Sequence, residues 1–162
     1  MNLLRTLKHL VAPDWLLRRG FSSSRIQKAI RESERQHLAE LCFAVEGGLS
    51  LHHLLADTTP RQRAAEVFSL LRVWDTEHNS GVLIYVQRVD RRIEIVADRG
   101  IAAKVAEAEW SAVCRAMEKS FKDGRFTEGA LEAIQSCGKI LARHFPAQGE
   151  NRNELPDRPV FL

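Results

Sequence analysis

Two unbroken apolar runs stand out from a chain that otherwise mixes apolar and charged residues at every turn. The first, Leu41–Val45, is closed by Gly47 and Gly48, and its length and closing glycines predict a buried strand. The second, Val82–Val86, is too apolar and too β-branched for a surface helix and predicts another. Ile93 and Ile95 alternate with Glu94, the mark of a half-buried strand. Only the short stretch "VDRR" separates these last two, so they predict an antiparallel hairpin turning at Asp90 and Arg91.

Elsewhere the period is helical. Ile26, Ala29 and Ile30 follow serines 22–24 and predict a helix over 24–37. Thr59 as N-cap and Pro60 at the first position open a helix with Ala64, Val67, Phe68 and Leu71 on one face. Ala106, Trp110, Val113, Cys114 and Met117 stripe a third, which Gly124 breaks. Thr127 caps a fourth, which Pro146 stops. The stretch "LSLHHLLAD" predicts one or two helical turns, in which adjacent His52 and His53 point to different faces as surface residues. The order helix, strand, helices, hairpin, two helices predicts an α/β fold: a three-layer α/β/α sandwich around a small mixed sheet containing a β-hairpin. A helical crossover joins Leu41–Val45 to Val82–Val86, which makes them parallel. Glu40, Asp75, Glu77, Asn79 and Asp98 then gather at one sheet edge, and Glu46, Asp90 and Arg91 at the other.

Composition narrows the class. The chain has 162 residues, 44% hydrophobic and 28% charged, which suits one globular domain with a substantial core. Its net charge of +3 is too small to imply nucleic-acid binding. Cys42, Cys114 and Cys137 form no C-x-x-C pair and read as buried reduced thiols, which implies a cytoplasmic protein. No apolar run reaches the roughly 18 residues of a membrane span. The chain divides into an amphipathic N-terminal segment (1–21), a central domain (22–146) and a flexible tail (147–162). In the first, Leu3–Leu10 predicts a short helix and Pro13 a turn carrying Trp15, Leu16 and Leu17. These apolar groups have two destinations, the domain's own core or a membrane surface or membrane-associated protein partner. The shortness of the helix favours the core.

The edge around Asp75 carries the candidate chemistry. Clustered carboxylates and an amide are costly to hold together without a positive partner. A divalent cation with oxygen ligands is the natural one, and calcium tolerates irregular cages best. Asp75, Asn79, Asp98 and Glu40 are the candidate metal ligands. Arg99 is the candidate phosphate contact or the internal counter-charge, and His78 is the one histidine in this loop. Asp and Asn also cap turns, so ordinary turn chemistry is the competing account. Neither a phosphate-binding glycine loop nor a nucleophile elbow is present.

The stretch "VFSLLRVWDTEHNSGVLIYVQRVDRRIEIVADRGI", from Val67 to Ile101, resembles the TPM domain family, which includes a thylakoid-lumen acid phosphatase and many uncharacterised bacterial proteins. The resemblance extends from about Ser24 to Phe145. It implies an α/β/α sandwich and a calcium-binding phosphatase with acidic residues at its loop ends. Asn79 and Gly81 fall on the family's Asn-Gly step with Ser80 between them. Asp98 stands where many members have the first Gly of G-x-G, and Ala102 where they have Glu. Two functions follow as expectations: a divalent-ion-binding domain, with phosphatase as its sharper form, or a non-enzymatic interaction module acting with a membrane-associated partner through the N-terminal segment.

Overall fold

The structure is a computed structural model that describes residues 3–148 and 153–162. Two short helices, α1 (Leu3–Leu10) and α2 (Asp14–Arg18), lead into α3 (Ser23–Glu34). Then come β1 (Glu40–Glu46), α4 (Leu51–Leu55), α5 (Pro60–Leu70), β2 (Gly81–Gln87) and β3 (Arg92–Ala97). The chain continues through α6 (Arg99–Ala102), α7 (Glu107–Lys122) and α8 (Phe126–His144), and β4 (Val160–Phe161) follows. The sheet order is β3-β2-β1-β4. β1 runs parallel to β2 and β4, and β2 pairs antiparallel with β3.

Side-chain alternation builds the three layers. Leu41, Phe43, Val45, Val82, Ile84 and Ile95 face α3, α7 and α8 and form the larger core. Cys42, Ala44, Leu83, Tyr85 and Val96 point the opposite way, onto a smaller core with Ala64 and Val67 of α5. β1 and β2 are buried along their whole length because both faces are covered, which is why their sequence shows continuous rather than alternating hydrophobicity. The expected sandwich, mixed sheet and hairpin are all present. Thr59 caps α5 through a reciprocal capping box with Gln62, as the sequence predicts.

The described part of the tail departs from expectation. Residues 149–152 lie outside the described residues, but 153–162 are packed onto the domain. Val160 and Phe161 add a parallel strand to β1, and the Leu162 amide donates to the Val45 carbonyl at 2.9 Å. Leu155 and Asp157 are buried, and Asp157 accepts from Arg31 at 3.0 Å. The two prolines and high polarity suggest a solvated tail. A two-residue strand on an otherwise open edge is too short to show in the pattern, yet it covers the unpaired backbone of β1.

Candidate functional site

The acidic edge forms, but its members belong to three separate networks. Glu40 opens β1 with a fully buried side chain, and burial raises its pKa. One carboxylate oxygen accepts from the amides of Glu154 at 3.2 Å and Leu155 at 3.1 Å, and the other is buried with no hydrogen-bond partner. Asp75 is exposed and accepts from Arg72 at 2.5 Å. Asn79, held at φ +50°, accepts on its side-chain oxygen from Nε of Arg99 at 3.0 Å. Asp98 caps α6 by accepting from the Arg99 amide at 2.7 Å, while its Oδ2 is buried and unpartnered. His78 is exposed.

The spacing of these groups has a backbone cause. Gly81 lies in the same sheet row as Glu40, its parallel partner, and Asp98, whose amide donates to the Gly81 carbonyl at 2.9 Å. A Cβ on Gly81 would stand 1.9 Å from the Val73 carbonyl oxygen. The backbone of Val73 therefore occupies the space between Glu40 and Asp98. Asn79, Asp98 and Arg99 come together; Asp75 and Glu40 do not join them. Among the described residues no group of three or more His, Cys, Asp or Glu side chains is arranged to hold a metal ion. Arg99 brings its positive charge to Asn79, Arg72 meets Asp75, and one oxygen each of Asp98 and Glu40 is met by the Arg99 amide and by amides of the tail.

The opposite edge holds a denser polar network. Glu46 ends β1 and is buried. Arg63 of α5 grips it with Nε at 3.1 Å and Nη2 at 2.7 Å, and the Tyr85 hydroxyl donates to it as well. This grip raises the pKa of Arg63, and burial followed by the Glu46 charge raises that of Tyr85. His53 joins the rim through Glu66 at 3.0 Å. Both oxygens of Glu46 are engaged, so the network ties β1, β2 and α5 together. In the sequence Glu46 signals only the end of a strand; its partner 17 residues on becomes visible once α5 packs over the sheet.

The same edge anchors α1 in an unexpected orientation. His9 is buried; its Nδ1 accepts from the Leu49 amide at 2.9 Å, which leaves Nε2 to donate to Asp90 at 3.1 Å. Arg5 reaches Asp90 at 2.7 Å. Burial tends to raise the Asp90 pKa, but hydrogen bonds from Arg5 and His9 outweigh this and hold it low. A Cβ on Gly48 would stand 2.3 Å from the His9 carbonyl oxygen, so a glycine there lets α1 approach. The polar face of α1 thus faces the protein. Leu3, Leu4, Leu7, Leu10 and Val11, with Trp15 of α2, are 55–75% exposed. The sequence favoured packing of these apolar groups on the domain's own core. The structure reverses this for α1 and Trp15, because the buried anchor is the Asp90 carboxylate. Of this segment's described residues, Leu17 and Phe21 pack against the large core.

The TPM domain family model matches residues 18–140. Among solved structures, the NMR structure of the BA42 protein from the psychrophilic bacterium Bizionia argentinensis superposes with a TM-score of 0.75 at 29% identity, covering 86% of this chain and 94% of that one. No curated protein matches.

Proposed function

The chain belongs to the TPM domain family, and from that premise we propose that this member is a non-enzymatic docking module that seats on an anionic membrane surface through α1. One observation carries the reading: the leucine face of α1 is turned to solvent while its polar face is spent on Asp90. Burying a leucine is worth roughly 1.5–3 kcal/mol, so four exposed leucines on one helix, with Val11 just after it, are a costly arrangement unless something covers them.

Charge favours a lipid surface as the cover. Residues 1–21 contain four Lys or Arg and one Asp, and the rest of the chain is balanced at twenty of each. Arg5 is spent on Asp90, and Lys8, Arg18 and Arg19 remain as the cations of the segment. Leucines with a flanking tryptophan and basic residues suit an interfacial helix, where the rings lie at headgroup depth and the cations meet anionic lipid. No helix among the described residues is long and apolar enough to cross a membrane. The three free cysteines fit the reducing side, hence the cytoplasmic leaflet. The non-enzymatic half of the reading is supported by the engagement of both Glu46 oxygens and of Asp75 and Asn79 by the chain's own arginines and Tyr85.

Co-sedimentation with phosphatidylglycerol-containing vesicles, against phosphatidylcholine alone, tests it. Binding to the anionic vesicles is expected, weakening as salt rises. Leu4→Ser with Leu7→Ser should cut it at least about tenfold without moving the melting temperature, because both side chains are already exposed. Failure to sediment with anionic vesicles overturns the reading. A dimer in the ultracentrifuge that the same variant dissociates would assign the face to a second copy instead.

A further inference from the structure

Beside α1, at the carboxyl ends of β1 and β2, lies a cavity of about 580 Å³. Ligands in open α/β sheets bind at this end of the strands, and the volume is that of a small-molecule site. Its apolar walls come from the α1–α2 connection (Val11, Ala12, Pro13), from Leu16 of α2, from Ile93 and from Phe121 and Phe126. Its polar lining is one-sided: Lys8, Arg88, Arg91, Arg92 and Lys122 against the single acid Glu118.

Arg88 is the unusual member. Its guanidinium lies 4.1 Å from the Phe126 ring centroid and 5.2 Å from that of Phe21. Nη1 is buried with no hydrogen-bond partner, and no carboxylate pairs with the group among the described residues. Burial first, and then the Arg19 charge, depress its pKa. Every other arginine buried to a similar degree at this edge grips an acid: Arg63 holds Glu46 and Arg5 holds Asp90. The two rings stabilise the cation but supply no counter-charge, and a half-buried guanidinium with an unpartnered Nη1 beside Arg19 costs stability, which marks a site whose counter-charge arrives from outside.

We propose that this cavity binds one amphiphile with an anionic head and an apolar chain, the head at Arg88 with Arg91, Arg92 and Lys122 near it, the chain along Leu16, Ile93 and Phe121. The two surfaces share Val11 and Lys8, but the leucines at 3, 4, 7 and 10 do not line the cavity, so variants at those leucines separate it from membrane docking.

Calorimetric titration below the micelle concentration, with decanoate, decyl phosphate and decyltrimethylammonium as probes, tests it. Saturable one-to-one binding of at least one anionic probe is expected, and its preferred head separates a carboxylate source from a phosphate one. Arg88→Gln should weaken binding at least tenfold and melt no lower than the natural chain. Lys122→Glu, at an exposed rim position, should weaken it at least threefold, and it decides the case if Arg88→Gln does not fold. Leu4→Ser with Leu7→Ser should bind decanoate normally even if vesicle binding is lost. Equal binding of the cationic probe, no binding of either anion, or unchanged affinity in both charge variants overturns the proposal.

Discussion

Two buried side chains that meet no ligand set the pH response of this domain. Glu34 is pushed up to about 8, chiefly by burial, while its carboxylate accepts from the Leu41 amide at 2.8 Å. The unfolded chain gives up this proton near 4.5, so between 4.5 and about 8 the folded state holds more protons and stability falls as pH rises. His37 is pushed down to about 4 by burial, from an ordinary 6.5. As pH falls through that window the unfolded chain takes its proton first, and stability is lost downward. The slopes of the two oppose from 4.5 to 6.5, and above 6.5 only Glu34 of the pair still contributes. Glu34→Gln keeps an acceptor for Leu41 and removes the titration. In denaturant melts it should nearly match the natural chain at about pH 5 and exceed it by on the order of 3 kcal/mol at about pH 8. Equal stability at both pH values would contradict a protonated Glu34. Gly81 makes the second residue-scale prediction: the Val73 carbonyl occupies the place of a side chain, so Gly81→Ala should cost about 3 kcal/mol through forced backbone movement. The sequence shows Gly81 only as a residue before a strand; the loop that presses on it comes from the preceding helix.

Among the elements, the periodic ones are legible and the short ones are not. β1, β2, β3, α5, α7 and α8 each carry enough residues for a period to appear. Thr127 reads as a cap, yet α8 begins one residue earlier. Its hydroxyl instead donates to the Gly20 carbonyl at 2.7 Å and accepts from the Ser22 amide at 2.9 Å, clamping the linker before α3. The hairpin has no glycine because Arg91 takes the left-handed conformation at φ +55°. α1 has a clear helical period, but periodicity does not say which face turns inward. Asp90, 85 residues from Arg5, makes that choice. Asp90→Ala should release α1, since an isolated eight-residue helix has little stability of its own. Limited proteolysis should then cut within residues 3–13 at least tenfold faster, with a loss of about 2 kcal/mol in global stability. Unchanged protection would mean that the helix is held by something other than this carboxylate.

At the scale of the whole molecule, the two sheet edges divide the work. At the acidic edge the chain's own arginines meet Asp75 and Asn79 and backbone amides meet one oxygen each of Glu40 and Asp98, whereas the basic edge presents leucines, cations and a lined cavity. Millimolar calcium should therefore leave the amide resonances of residues 75–81 and 98–100 in place and the melting temperature unmoved. Shifts centred there with a raised melting temperature would return Asp75, Asn79, Asp98 and Glu40 to the role of ion ligands. The order of apolar runs and helical periods was sufficient by itself to determine the layers, the parallel β1–β2 pair, the hairpin and which charged residues share an edge, because burial and crossover geometry act through local pattern. Only the tertiary structure decided the outward face of α1, the docking of Val160 and Phe161, the Val73 wedge and the lone Arg88. Each of these depends on contacts between residues far apart in the chain, where one carboxylate, one carbonyl or one missing acid outweighs what the local pattern favours.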